Sequence, residues 1–172
     1  MERHIYLVQP TYRDKVGALL KGRRLGLHSA VLPALSAAVP GHWRKTSCIE
    51  YFDDIDLETE ASVVAITSMG YDFPRGRELA GEFKRRGKLV LFGGWQAGPG
   101  RAKLAGLCDA LVLGNPGRRA LAAILDDAEA GRLRPVYHCG VEIDYPWDYS
   151  VLDGKRIDYL PVVTGVGCPN RC

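Results

Sequence analysis

Two thiols near the C-terminus, Cys168 and Cys172 in the run GVGCPNRC, stand four positions apart just past a glycine turn. Closely spaced thiolates on one loop are metal ligands, and two of them make half of a ligand set. The plain alternative is a pair of cysteines at a frayed chain end, oxidised to each other. The other thiols, Cys48, Cys108 and Cys139, are scattered singly, and the total of five is odd. No small-residue cleavage site follows the apolar run of MERHIYLVQP, so no secretory leader is read. Reduced thiols in a cytoplasmic compartment are therefore expected.

The other residues suited to holding a ligand fall at the ends of apolar runs. Pro10, Thr11 and Tyr12 follow the first run, and Ser68, Met69, Gly70, Tyr71 and Phe73 follow ASVVAIT, residues 61–67. Gly93, Gly94 and Trp95 end KLVLFGGW, and Gly114 and Asn115 end DALVLGN. Glycines in such places let a flat ligand approach the backbone, although any one of them is equally explained as a turn. Familiar chemistries fail at these positions. A phosphotransfer receiver needs an acid pair after the first strand, where QPTYR stands. A flavodoxin phosphate loop matches PTYRDKVG poorly. GPGRAKLAG follows the wrong strand, with the wrong spacing, for a dinucleotide fingerprint. No GxSxG or Walker sequence occurs, and His4, His28, His42 and His138 are isolated, as surface or capping histidines are.

The elements that must position these residues follow from periodicity. Ile5–Val8, TSCIEYFD from Thr46, ASVVAITSMG from Ala61, KLVLFGG and DALVLGN read as five strands, several apolar on both faces. Between them, GLHSAVLPALSAAV has helical spacing with Pro33 inside it, which predicts a kink or a late start. FPRGRELAGEFKRRG carries Pro74 in its first turn and Gly87 as its stop. A short helix is predicted over 101–106 and a strong one over GRRALAAILDDAEAGR. This alternation predicts an α/β fold, a doubly wound, mostly parallel five-stranded sheet with flavodoxin-like order and right-handed crossovers. Ligands bind such sheets beyond the carboxyl ends of the strands, where the residues named above gather.

From Pro135 the texture changes to Tyr, Pro, Asp and Gly without periodicity, which predicts an ordered linker over 135–159. LPVVTGVG then reads as the first strand of a second domain from residue 160. At 172 residues, 47% hydrophobic and 25% charged, residues 1–134 can bury a core without disulfides. A net charge of +3, with basic residues in short clusters such as KGRR and FKRR, gives no reason to expect nucleic acid. No apolar stretch is long enough to span a membrane.

In order and content these segments resemble the cobalamin-binding radical S-adenosylmethionine enzymes. LVQP, GLHSAVLPALSAAVPG, the long segment from Ala61 to Gly98, CDALVLGNPGRRALAAILDDAEAGRLRPVY and YLPVVTGVGCPNRC carry the likeness. The resemblance implies cobalamin on the rim residues, with Trp95, Tyr71 and Phe73 against the corrin and Ser68 and Thr11 bonding its amides. It implies a 4Fe–4S cluster held by a C-x-x-x-C-x-x-C loop, with Cys168 and Cys172 as its first two ligands and S-adenosylmethionine on the open iron. The third cysteine would fall beyond Cys172, so the chain is expected to be the front part of a longer enzyme. YRDKVG has no histidine where many cobalamin domains carry one, which implies a base-off cofactor facing an uncharged side chain, with Met69, Tyr71 and Phe73 as candidates. The chemistry implied is methyl transfer from methylcobalamin to a substrate radical raised by the 5′-deoxyadenosyl radical. The substrate, a small molecule or peptide, would be read mainly by the rest of the enzyme, and an external electron donor would reduce the cluster. The rival reading is a free-standing, non-catalytic flavodoxin-like module that binds a cofactor or a protein partner.

Overall fold

The computed structural model describes residues 2–27, 29–141 and 146–161. Cys168, Cys172 and most of the predicted second-domain strand lie outside them, as does His28. The apolar run at the N-terminus forms β1 (His4–Gln9), buried along almost its whole length. A short β2 (Leu25–Leu27) precedes α1 (Val31–Ala38), so the helix starts late, with Pro33 in its first turn where a missing N–H costs nothing. β3 (Arg44–Ile49), β4 (Val63–Thr67), α2 (Phe73–Arg85), β5 (Leu89–Gly93), a single turn α3 (Arg101–Leu104), β6 (Ala110–Asn115) and α4 (Arg118–Glu129) follow as the periodicity predicts. Gly87 ends α2 with φ at 73°, a conformation that favours glycine.

The main sheet differs from expectation at one edge. Six strands pair in the order β3-β1-β4-β5-β6-β7, all parallel, and the sixth is β7 (Val136–Val141). Its sequence, VYHCGV, mixes His, Cys and Gly into a short run, so it shows neither alternation nor a continuous apolar stretch. The expectation of five strands, with 136–141 in a linker, is corrected accordingly. Without this edge strand and the short β2, the order is that of flavodoxin.

Strand alternation sorts the core into two faces. Ile5, Leu7, Val63, Leu91, Ala110 and Val112 pack with α1 and α4. Tyr6, Val8, Val64, Ile66, Val90 and Phe92 pack with α2 and the α3 turn. The β4-to-β5 and β6-to-β7 crossovers step the same way along the sheet, but α2 and α4 lie on opposite faces. Their hands are therefore opposite, contrary to the uniform right-handedness expected.

Beyond β7 the chain returns over α1. A 3₁₀ turn (Tyr149–Leu152) buries Leu152 in the α1/α4 core, and β8 (Ile157–Tyr159) pairs in parallel with β2. Asp148 fixes this strap. Its Oδ2 accepts from Lys45 Nζ and from Ser36 Oγ, each at 2.6 Å, and its backbone N–H donates to the Pro33 carbonyl. The strap thus clamps the outer side of the helix whose inner side bounds the cleft described next.

Candidate functional site

A cleft of about 540 Å³ opens at the C-terminal ends of β4, β5 and β6, on the α1/α4 face. Its origin lies in side-chain size. Ala65 and Gly93 sit on this face of two adjacent strands, where larger residues would fill the space between sheet and helices. Val31 and Leu35 of α1 wall one side and Leu121 of α4 the other. Leu91 and Val112 form the rest of the floor, so the interior is apolar.

One buried polar group stands in that interior. Thr67, the last residue of β4, is 2% exposed and lines the cleft, and its Oγ1 has no hydrogen-bond partner among the described residues. A buried hydroxyl left unpaired is destabilising, and a ligand atom would relieve it. Asn115 and the 81%-exposed indole of Trp95 stand at the mouth with Met69.

The rim residues named from sequence divide into two groups. Met69, Gly93, Gly94, Trp95, Gly114 and Asn115 line the cleft. Pro10, Thr11, Tyr12, Ser68, Gly70, Tyr71 and Phe73 do not. Tyr12 and Tyr71 are exposed neighbours, their ring centres 6.3 Å apart, on the loops after β1 and β4. Phe73 is in the first turn of α2, edge-on to Phe92 at 6.0 Å. Pro10 is buried beside Gly76. The hydroxyls of Thr11 and Ser68 are both engaged by the chain itself, donating to the Leu20 carbonyl at 2.6 Å and to Asp72 Oδ1 at 2.9 Å.

The glycines also divide. Gly94 and Gly114 both have φ at 93°, and a Cβ on either would lie 2.1 Å from a backbone oxygen, that of Ser68 or of Cys139. Local backbone geometry alone demands glycine there. Gly93 has no such constraint, and what it contributes is open floor.

Two buried acids brace the rim, and neither was singled out from sequence. Asp72 Oδ1 accepts from the backbone N–H groups of Met69 and Gly70, each at 2.9 Å, as well as from Ser68. This carboxylate holds the turn that carries Met69. Glu50, 1% exposed, accepts from the Thr11 N–H at 3.0 Å and from Arg75 Nη2 at 2.6 Å, tying the loop after β1 to α2. Arg75 also bonds Glu78, which bonds Arg13. The signal for Asp72 was local, an acid just before a helix; Glu50 and Arg75 are 25 positions apart, and only the fold pairs them.

The isolated histidines include one correction. His4 is 2% exposed, its Nε2 3.0 Å from Thr46 Oγ1, and burial lowers its pKa. It is a core residue rather than a surface or capping one. Burial also pushes the Cys48 and Cys108 thiols up to about 11, which keeps them protonated and inert at neutral pH. Among the described residues, no group of three or more His, Cys, Asp or Glu side chains is placed to hold a metal ion, and no helix is long and apolar enough to cross a membrane.

The chain is 27% identical over 158 residues to the bacteriochlorophyllide d C-8(2)-methyltransferase of Chlorobaculum tepidum. The match covers 84% of this chain and 34% of that protein, so the chain spans about a third of the length of the curated relative it matches. No protein-family model matches the chain, and no solved structure matches it.

Proposed function

We propose that this chain forms the cobalamin-binding part of a cobalamin-dependent radical S-adenosylmethionine methyltransferase. The observation that carries the reading is the apolar cleft with an unpaired hydroxyl in its interior, opening beneath an exposed tryptophan at the strand ends of a flavodoxin-like sheet. Similarity to a methyltransferase over most of the chain supports the reaction class.

The residues fit the cofactor. Trp95 and Met69 offer apolar surface to a flat corrin, and the Asn115 amide can bond its edge. Tyr12 and Tyr71 extend that apolar rim beyond the cleft. The YRDKVG segment carries no histidine, which supports a base-off cofactor. The cleft beneath the rim then gives the detached nucleotide base a place to enter, between Leu35, Leu121 and the strand floor. When bound, methylcobalamin would supply a transferable methyl group, and the cluster with S-adenosylmethionine would supply the radical that removes a hydrogen atom from the substrate and so makes the substrate the methyl acceptor. The chain's own part is positioning. Asp72 fixes the Met69 turn, Glu50 and Arg75 fix the loop after β1, and the apolar walls exclude water.

In this reading residues 1–134 with β7 hold the cofactor, residues 146–159 brace α1, and 160–172 begin the radical domain with Cys168 and Cys172 as cluster ligands. The substrate is read mainly by that domain, an external donor supplies electrons, and the enzyme works in the cytoplasm. The test is optical. Protein mixed with hydroxocobalamin and then desalted should keep the visible absorption of the corrin, and protein that keeps none removes the proposal's main support.

A further inference from the structure

We infer that the outer surface where α2 meets the α3 turn docks the external electron donor, a small acidic one-electron carrier protein; this rests on the cobalamin reading above. Charge is unevenly spread along the chain. Residues 73–109 hold eight Lys and Arg against three Asp and Glu, while the remaining residues hold 15 against 17. The positive surplus therefore belongs to the α2-β5-α3 segment.

The acids of that segment are already taken. Glu78 accepts from Arg13 and Arg75, Glu82 from Arg85 and Arg86, and Asp109 from Lys84. Arg77, Arg101 and Lys103 are left over, and none of them meets a carboxylate among the described residues. Arg77 Nε donates to the Lys103 carbonyl at 2.9 Å, which gathers the three cations at the α2/α3 junction. Arg101 and Lys103 are exposed, with the exposed Ala102 between them.

Such a patch suits one kind of partner. Nucleic acid carries a charge about every 1.7 Å and rewards a longer basic stripe. An anionic membrane surface calls for about four to eight cations, and no large apolar side chain is exposed on α2 or α3 to anchor in it. A compact basic patch fits a weak, electrostatically steered protein encounter, the mode of an electron carrier that must leave after each transfer. Position favours the same partner. α3 follows directly on the loop that carries Trp95 at the cleft mouth. Ala97 N–H donates to the Gly94 carbonyl at 3.1 Å and Gly100 N–H to that of Gln96 at 2.8 Å, so the loop is compact and the patch stands beside the corrin seat.

The test loads the full-length protein with hydroxocobalamin, desalts it and follows the corrin absorption after mixing with a reduced acidic [2Fe–2S] ferredoxin. Each transfer takes one electron from the ferredoxin and brings cobalt from Co(III) to Co(II), and the hydroxide leaves as water with a proton from solvent. Arg101→Glu combined with Lys103→Glu should slow the reduction about tenfold or more at about 50 mM salt, and about 0.5 M salt should remove most of that difference. Arg23→Glu combined with Arg156→Glu changes the net charge equally at exposed sites elsewhere and should stay within about twofold of the unaltered protein. An unchanged rate in the Arg101/Lys103 variant, or an equal loss in both variants, overturns the inference and leaves the corrin seat standing. Sedimentation with phosphatidylserine vesicles that the Arg101/Lys103 variant loses would assign the face to a membrane and also overturns it. If no corrin is retained, the cobalamin reading itself fails. Titration with oxidised ferredoxin, which needs no corrin, then judges the surface: the Arg101/Lys103 variant should bind about tenfold more weakly than the Arg23/Arg156 variant, and equal binding overturns the inference.

Discussion

The two faces of the sheet use small residues in opposite ways. On the α2 face, Gly76 lets the helix press against the sheet, and a Cβ there would meet the Phe92 ring at 3.1 Å. Gly100 does the same for Phe73, whose ring would lie 2.2 Å from an added Cβ. On the α1/α4 face, Ala65 and Gly93 leave the strand floor bare and the helices stand away from it. Small residues close one interface and open the other. What differs is where the aromatic side chains sit: Phe73 and Phe92 fill the space beside Gly76 and Gly100, whereas Trp43 and Tyr137, the buried aromatics of the α1/α4 face, lie outside the cleft lining. The α2 face is closed, and the α1/α4 face leaves the cleft.

Deleting the filler on the closed face should therefore have the largest effect. Phe92→Ala is expected to cost about 3–5 kcal/mol, read from urea unfolding, because a fully buried ring leaves a cavity. Leu35→Ala, at the cleft wall, should cost about 1 kcal/mol or less, since that side chain already borders empty space. Similar costs for the two would erase the distinction between the faces.

The next largest effect should come from Arg75→Ala, about 3 kcal/mol. It strands the Glu50 carboxylate, whose side chain is 2% exposed, without its cation. Glu50→Gln combined with Arg75→Met should recover much of the loss, because no buried charge is then left unpaired.

Much of this contrast was legible in the residues. Continuous apolar strands, Pro74 and Gly87 at the ends of α2, and small residues after three strands pointed to the sheet, its two layers and the end at which the cleft opens. The depth of the site was not legible. Thr67 stands among the small and polar residues at the strand ends, but its burial shows only once its neighbours on the same face are known. β7 was missed because six residues containing His, Cys and Gly follow no period. The strap was legible as an ordered linker, but its anchor was not, because Asp148 meets Lys45 and Ser36 across more than a hundred positions, a pairing that periodicity does not encode.

The strap offers a gentler probe of the open face. Lys45 and the hydroxyls of Ser150 and Ser36 hold the Asp148 carboxyl well below the usual carboxylate range. A depressed carboxyl pKa stabilises the fold above the unfolded value, near 3.9, and that stability is lost as pH falls through the folded value. Asp148→Asn should remove this acid-side dependence. Asp148→Ala should cost about 1 kcal/mol, reduced by partial exposure of the pair, and hydrogen exchange should rise in α1 more than in α2.

The smallest effect concerns His4. Its lowered pKa means that the unfolded chain takes up a proton that the folded chain refuses. Stability should therefore decline as pH falls below about 6.5, and His4→Gln should flatten the thermal midpoint between pH 7 and pH 5.

The open face is tested most directly by filling it. Ala65→Leu places an aliphatic side chain on the cleft floor, into existing space. Retention of hydroxocobalamin through desalting should be lost while the thermal midpoint stays at or above that of the unaltered protein. Full retention of the corrin by Ala65→Leu protein would contradict the assignment of the cleft.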